Sequence, residues 1–252
     1  MNFKKFTLGF FFASMFAVTA SSASEIEVTG GADLVSQYVI HGMDQGQGAA
    51  FQPTVTASIG GLSLTAWGST PLDSGTGAKE LDLILAYSIG NFTIGVTDYW
   101  WAGLGEKSAY FRSSEHLWEL NLSYTISEDF PLSLSWNTIF SGDADKKGYL
   151  GIADDYDVLQ EPIQDESNDQ AFSTWIKIAY PFTVGGIDAT AAVEVTPWEG
   201  AYAKEFNVTS VSLRFSKDVS KNDKFSLPIF VEAIAAPAQE DAYLVAGLSF
   251  RL

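Results

Sequence analysis

Apolar and polar residues alternate most regularly along His116–Phe140, where the pattern predicts two strands joined by a short turn. One face of the pair carries Trp118, Leu120, Leu122, Tyr124 and Ile126, followed by Leu132, Leu134, Trp136, Thr138 and Phe140. Successive side chains of a strand point to opposite faces, so each strand has an apolar and a polar side. Each run is about the 9–11 residues that a tilted membrane-crossing strand needs, with aromatic residues near its ends. Since an open sheet edge cannot lie in lipid, such a hairpin predicts a closed barrel.

The same alternation recurs along the chain, without convincing helical periodicity after Ile26. It predicts twelve strands, over residues 28–41, 51–60, 62–70, 81–90, 92–100, 117–127, 131–141, 171–183, 187–197, 207–218, 225–235 and 242–252. Short connections rich in Gly and Asn alternate with long ones, as in bacterial outer-membrane barrels with short periplasmic turns and long external loops. The fold class predicted is therefore all-β, a closed antiparallel transmembrane β-barrel of about twelve strands with both termini in the periplasm.

The two faces of these strands differ in charge. No Asp, Glu, Lys or Arg lies at mid-depth on the outward faces, where a charge would cost a few kcal/mol. The inward faces carry the residues predicted to line the lumen, which are Asp33, Asp82, Glu119, Lys177, Glu194, Arg214 and Glu232. Counting from the hairpin turns places Lys177 opposite Glu194 and Arg214 near Glu232, which predicts two cross-strand ion pairs.

Asp33, Asp82 and Glu119 have no evident basic partner in the sequence. The pattern therefore predicts a negative interior that favours cations. The alternative is that the acids are solvated or hydrogen-bonded to inward Ser, Thr and Asn residues and select no ion.

The N-terminal residues 1–23 have the pattern of a secretory signal, with Lys4 and Lys5 before an apolar stretch and small residues at its end. The predicted mature barrel is 24–252. Removing the two lysines changes the formal charge from −17 to −19, which argues against nucleic acid as a partner. The chain has no cysteine, so neither disulfides nor a lipid-modified cysteine contribute.

Few residues suggest chemistry. His41 and His116 are the two histidines, and Ser113, Ser114 and Glu115 precede the second. Neighbouring residues on a strand point apart, and no Gly-x-Ser-x-Gly motif is present, so a catalytic triad is not indicated. We expect no enzymatic activity and no cofactor, and we place His41 at the mouth of the barrel.

The fourth long loop, 142–170, is acidic. It carries Asp143, Asp145, Asp154, Asp155, Asp157, Glu161, Asp165, Glu166 and Asp169. The run Asp143-x-Asp145-x-Lys147-Gly148, with Asp154 at position twelve, partly resembles an EF-hand loop, but Lys147 replaces a ligand. A solvated external loop is the favoured interpretation, with Asp143 and Asp145 at the mouth and no metal site. Divalent cations bridging these carboxylates to lipopolysaccharide remain an alternative.

Most tryptophans lie near predicted strand ends and indicate an interfacial girdle, whereas Trp67 and Trp175 point inward. The opening GADLVSQYVIHGMDQGQGAAFQPTVTAS resembles that of the TorF-type porins, through Asp33, Ser36, Tyr38, Gly42, Gln45, Gln52 and Pro53. The stretches LTAWGS, VTDYWW, LSLSWNTIFSG, AYPFTVGG and VTPWEG resemble the Bacteroides-type members. The resemblance implies an outer-membrane barrel and supplies no substrate. Such members commonly carry Trp-Arg where this chain has Ile40-His41, so its ion preference is expected to differ if that Arg lines the pore mouth.

The function predicted is a narrow porin-like channel for small solutes, with cation preference, in the outer membrane of a Gram-negative bacterium. Its expected partners are outer-membrane lipid, lipopolysaccharide and the solutes themselves. Two alternatives stay open: a non-conducting structural or adhesive barrel that displays acidic external loops, and a secreted soluble β-sandwich. The sequence leaves the oligomeric state and the solute open.

Overall fold

The computed structural model describes residues 25–46, 48–72, 79–102, 109–147, 169–222 and 224–252. The predicted signal at 1–23 and most of the acidic fourth loop lie outside these residues. The described chain forms a closed antiparallel barrel of twelve strands, with a two-stranded hairpin beside it. The prediction of a twelve-stranded barrel is confirmed. The described residues do not form the two packed sheets of a β-sandwich.

The barrel strands follow one another around the wall in chain order, and the last closes on the first. They are β1 (Glu27–Val35), β4 (Ala50–Ile59), β5 (Leu62–Pro71), β6 (Lys79–Ile89), β7 (Phe92–Ala102), β8 (His116–Thr125), β9 (Ser133–Ser141), β10 (Thr174–Val184), β11 (Ile187–Thr196), β12 (Asn207–Lys221), β13 (Ser226–Ala236) and β14 (Asp241–Arg251). The extra hairpin consists of β2 (Val39–Ile40) and β3 (Met43–Asp44).

The first strand is shorter than predicted. The predicted range 28–41 joins β1 to β2, but the wall strand ends at Val35 and the chain then turns away from the sheet. His41 and Gly42 both have positive φ, of 52° and 78°, and make the tight turn between β2 and β3. Two central residues of positive φ are what a two-residue type I′ hairpin turn requires.

Short turns lie at one end of the barrel and long connections at the other, as the loop lengths predict. Gly185 and Gly186, for example, join β10 to β11 with φ of 58° and 77°. Both ends of the described chain, in β1 and β14, lie at the short-turn end. This is the arrangement expected of a barrel whose short turns are periplasmic.

The outside of the barrel is an apolar belt. One outward residue from each of ten strands illustrates it, all of them exposed: Val55, Leu64, Leu85, Ile94, Leu134, Ile178, Val193, Leu213, Val231 and Leu248. A contiguous apolar surface of this extent would promote aggregation in water, whereas lipid requires it. Among the described residues, no helix is long and apolar enough to cross a membrane.

Aromatic residues border this belt. Trp136 and Trp198 lie 6.0 Å apart between ring centroids at the long-loop end, and both are exposed. Phe130 and Tyr180 form a pair near the short turns, 5.5 Å apart. Such borders match the interfacial girdles of membrane barrels.

Candidate functional site: the barrel lumen

The hairpin of β2 and β3, residues Val39–Asp44, enters the lumen and is called the lumen hairpin here. Its base is closed by a hydrogen bond from the amide of Gln45 to the carbonyl of Tyr38, 2.8 Å long. Val39 packs against one lumen cluster, and Met43 packs against another. The first cluster comprises Val35, Ala50, Phe230, Ile234 and Val245, and the second Ile139, Trp175 and Tyr202. The lumen hairpin therefore bridges two separate parts of the wall.

His41, predicted at the mouth, is at the tip of the lumen hairpin, beside residues near the long-loop ends of β10 and β11. Its ring is 4.4 Å from that of Trp175 and 5.0 Å from that of Tyr202, between centroids. Its Nδ1 lies 3.0 Å from Oε2 of Glu194, so the imidazole donates to this carboxylate. The side chain is buried. The tip is thus fixed by one polar contact and two aromatic ones.

Gly42 permits this insertion. A Cβ at its position would lie 2.1 Å from the carbonyl oxygen of Thr209 and 3.0 Å from the Cβ of Ala236. Backbone atoms of β12 cannot move aside as a flexible side chain would. Only glycine combines this close approach with a positive φ.

Both predicted cross-strand ion pairs are present. Lys177 is directly opposite Glu194, and its Nζ lies 2.7 Å from Oε1 of that residue. Arg214 is directly opposite Glu232, with 3.3 Å between Nη1 and Oε2. The Arg214 guanidinium also covers the ring of Phe230, 3.4 Å from its centroid. The carboxylate of Glu194 therefore joins the wall to the lumen hairpin, because it accepts from both Lys177 and His41.

The prediction that Asp33 has no basic partner is wrong. Nη2 of Arg251 lies 2.6 Å from Oδ1 of Asp33. The two residues meet because β14 pairs with β1, where Asp33 is opposite Ser249. Arg251 is two residues further along on the same face of the strand. Hairpin counting does not reveal this pair, because it forms where the two ends of the sheet join.

Glu119 and Asp82 are buried in the lumen without a basic side chain in contact among the described residues. Glu119 accepts hydrogen bonds from Tyr99 Oη at 2.9 Å, Trp175 Nε1 at 2.8 Å and Asn121 Nδ2 at 2.6 Å. Asp82 is 1% exposed, and neither of its carboxylate oxygens has a hydrogen-bond partner. Of the inward Ser, Thr and Asn residues expected to bond the acids, Asn121 does so for Glu119, and none of those described does so for Asp82.

Glu80 also faces the lumen and is buried, although it was not among the residues predicted to line the lumen. The predicted strand began at residue 81, whereas β6 begins at Lys79. Extending the alternation by one residue pair would have found Glu80, since it shares its face with Asp82. Glu80, Asp82 and Glu119 are called the acidic wall. The described lumen cations, Lys177, Arg214 and Arg251, are paired elsewhere.

Asp143 and Asp145, the two acids predicted at the mouth, differ in their burial. Asp143 is partly exposed and pairs with Lys146. Asp145 is completely buried and accepts from Nε2 of Gln170 at 2.6 Å, from the Ser173 amide at 3.3 Å and from the Ser173 hydroxyl. Its carboxylate ties together the two ends of the fourth loop instead of lining the mouth. Burial raises the pKa of Asp145, although these hydrogen bonds oppose the shift.

Neither His116 nor the loop that resembles an EF-hand forms a catalytic or metal-binding arrangement among the described residues. Nδ1 of His116 lies 2.7 Å from Oδ1 of Asp98, and its Nε2 lies 2.5 Å from the carbonyl of Tyr110, so both ring nitrogens are engaged. The remainder of the loop that resembles an EF-hand, from Gly148, lies outside the described residues. In the described part of the chain, no group of three or more His, Cys, Asp or Glu could hold a metal ion.

A polar cavity lies below Trp175, toward the short turns. It is lined mainly by Thr93, Thr97, Asn121, Ser123, Ser135 and Asn137. Thr97 donates to Asn121 at 2.6 Å, and Asn121 donates to Asn137 at 3.0 Å. Below the lumen hairpin, hydrogen-bonded polar side chains therefore line the interior.

By architecture, the chain is a porin-like barrel. It is closed, apolar outside, and lined inside by charged and polar groups. No protein-family model matches the sequence, and no curated protein does.

Several solved structures are similar in fold. The KdgM porin is 7% identical, with 88% of this chain and 97% of that chain covered and a TM-score of 0.47. The COG4313 outer membrane channel from Pseudomonas putida F1 is 13% identical, with 89% and 94% covered and a TM-score of 0.45. A BenF-like porin from Pseudomonas fluorescens Pf-5 is 11% identical, with 92% and 64% covered and a TM-score of 0.34. All three TM-scores are below 0.5, so the barrel assignment rests on this chain's own strand pairing.

Proposed function

We propose that this porin-like barrel is a narrow channel for small solutes in the outer membrane of a Gram-negative bacterium. The observation that supports it best is an interior of buried charges and polar side chains enclosed by an apolar exterior. A purely structural barrel gains nothing from buried carboxylates, because desolvating each one costs several kcal/mol. In an aqueous pathway, these carboxylates can interact with the solutes that pass.

The lumen hairpin is the gate of the proposed channel. Its tip is held by the His41–Glu194 contact, and Tyr38 at its base packs 5.6 Å from the ring of Trp67. The hairpin is not part of the barrel's strand ladder, so it can leave the lumen without breaking the strand pairing of the wall. Conduction then depends on the fraction of time that the hairpin is displaced.

Cation preference follows from the acidic wall. Its three carboxylates face the lumen without a basic partner among the described residues, while the cations on other strands are paired with acids. A narrow pore with an excess of acid has a negative potential, which raises the local concentration of cations.

The test is planar-bilayer recording of folded protein in a salt gradient. We expect conductance steps with a reversal potential of cationic sign, moved toward zero by Asp82→Asn combined with Glu119→Gln. Asp129→Asn removes an acid from a short turn and is the matched control, expected to leave the reversal potential unchanged. An anion-selective wild type, or a double variant identical to wild type, contradicts the cation preference.

The second candidate is a non-conducting barrel that displays its acidic loops at the cell surface. The lumen hairpin favours it, because the hairpin bridges the lumen in the structure. A wild type and a hairpin-displacing variant that both give no conductance steps would establish this candidate over the channel. We also propose that the chain is related to the TorF-type porins and that its external loops contact lipopolysaccharide.

A further inference from the structure

Asp82 is buried beside the Glu80 carboxyl, and no described N–H or hydroxyl group donates to it. Both of its carboxylate oxygens are inaccessible to water and lack a hydrogen-bond partner. The side chain sits in the long-loop half of β6, with Glu80 on the same face and Glu119 on the same wall. Charged groups are rarely buried unless paired, because the loss of hydration is not otherwise recovered. A cationic group is therefore the natural complement of this position.

Aromatic rings surround the acidic wall on both sides. Asp82 is directly opposite Trp67 on β5 and Tyr99 on β7. The ring of Tyr99 stacks on that of Trp101 with centroids 5.4 Å apart, and Tyr38 packs against Trp67. Carboxylates framed by aromatic faces suit an organic cation, since the rings attract positive charge and cover its carbon atoms.

An inorganic cation fits less well. Ca²⁺ takes six to eight oxygen ligands, and no described group of three or more acids or histidines is arranged to hold a metal ion. An ammonium group needs only a few acceptors around three N–H donors. Asp82 offers two acceptor oxygens that receive no described N–H or hydroxyl donor, and the Glu80 carboxyl lies beside them on the same face.

We propose that the acidic wall binds the ammonium group of a small organic amine, with Asp82 as its principal acceptor. The proposal rests on the channel function and names the class of solute that the channel favours. Tyr38 covers the site from the lumen hairpin, because its ring packs 5.6 Å from that of Trp67, which is directly opposite Asp82. Binding therefore displaces Tyr38, so occupancy of the site and opening of the lumen hairpin favour each other.

The chemistry of Tyr38 fits this role as a lid. Burial, then the charges of Glu80 and Asp82, raise the pKa of the Tyr38 phenol. The hydroxyl therefore stays protonated, so Tyr38 presents a proton donor beside the acidic wall, as an ammonium group would. The ammonium group of the amine thereby replaces the Tyr38 hydroxyl as the donor when the lumen hairpin moves.

Equilibrium binding to folded protein in detergent tests the proposal. Titration calorimetry with ethylammonium chloride is expected to show saturable binding, weakened about tenfold or more by Asp82→Asn because a charge-assisted hydrogen bond is lost. Glu80→Gln is the second variant, with a smaller loss expected, and Asp129→Asn is the matched control. Heat-modifiable gel mobility establishes that each variant is folded.

Three results would overturn the site: no saturable binding by the wild type, equal binding by Asp82→Asn, or tighter binding of CaCl₂ than of ethylammonium. Binding does not require conduction. Saturable binding by a protein that gives no conductance steps would keep the site and remove the channel, whereas conductance without binding would do the reverse.

Discussion

At the scale of single residues, a few positions decide how the lumen is filled. Gly42 lets the lumen hairpin approach β12 to a distance that no other residue allows. Glu194 joins that hairpin to the wall by accepting from both His41 and Lys177. Asp145 performs a similar task outside the barrel, where it anchors the base of the fourth loop. Each of these contacts depends on one side chain or one glycine, so each can be altered without removing a strand.

Replacing Gly42 with alanine should displace the lumen hairpin and raise conductance. The left-handed conformation costs a non-glycine residue roughly 1–2 kcal/mol, which alone shifts the hairpin equilibrium about 5–30-fold, and the clash with Thr209 adds to it. The measurement is open probability in planar bilayers. Gly90→Ala is the matched control, because Gly90 also has positive φ, at 57°, but a Cβ there meets no atom within 4 Å. Equal open probability in the two variants would contradict the gate.

Asp145 should make the base of the fourth loop less stable as pH rises. Its pKa is raised above the ordinary 3.8 in the folded protein, so the protonated form is favoured there more than in the unfolded chain. The stabilisation is complete below about pH 3.8 and is lost as pH rises through the folded pKa. Hydrogen exchange of the Lys147 and Ala171 amides, corrected for intrinsic rates, should show faster local opening at neutral pH.

Asp145→Asn should abolish this pH dependence while keeping the side-chain shape. Asp143→Asn is the control, since Asp143 is partly exposed and pairs only with Lys146 among the described residues. A pH dependence that persists in Asp145→Asn and disappears in Asp143→Asn would assign the effect to the wrong carboxylate.

At the scale of elements, each hairpin carries its own register. The tight Gly185–Gly186 turn aligns Lys177 with Glu194, and the next hairpin aligns Arg214 with Glu232 despite a bulge between Asp218 and Ser220. The lumen hairpin is different, because its position depends on contacts with β5, β10 and β11 that its own six residues do not specify.

The Arg214–Glu232 pair should contribute little to stability. A double-mutant cycle with Arg214→Met and Glu232→Gln is expected to give a coupling of roughly 0.2–1 kcal/mol in urea unfolding, as for other cross-strand pairs. The barrel should keep its heat-modifiable mobility in all three variants. A coupling of several kcal/mol would show that the pair supports the fold and does more than hold the register.

At the scale of the whole molecule, the barrel distributes its side chains in the opposite way to a soluble protein, with apolar residues outside and polar residues inside. Its outward strand faces form a continuous belt, and aromatic pairs border that belt at both ends. This distribution is stable only if lipid covers the outside, because water would leave the apolar surface unprotected.

A charge in the middle of the belt should therefore destabilise the barrel, and one at its edge should not. Leu85→Arg, at the centre of β6, is expected to cost about 2–4 kcal/mol in lipid vesicles. Ile89→Arg, on the same face beside the short turn, should cost about 0–1 kcal/mol. Reversible urea unfolding measures both. Equal costs at the two positions would show that the belt does not lie across a bilayer.

The sequence by itself determined the strands, their faces and the alternation of short and long connections. These properties have a period of two residues or depend on one turn, so neighbouring residues encode them. The ion pairs at Lys177 and Arg214 followed from the same local counting. The tertiary structure alone decided three further points: the pairing of Asp33 with Arg251 where β14 closes on β1, the burial of Asp145, and the entry of the lumen hairpin with His41. Each joins segments distant in the chain, and only the closed barrel brings their side chains within contact.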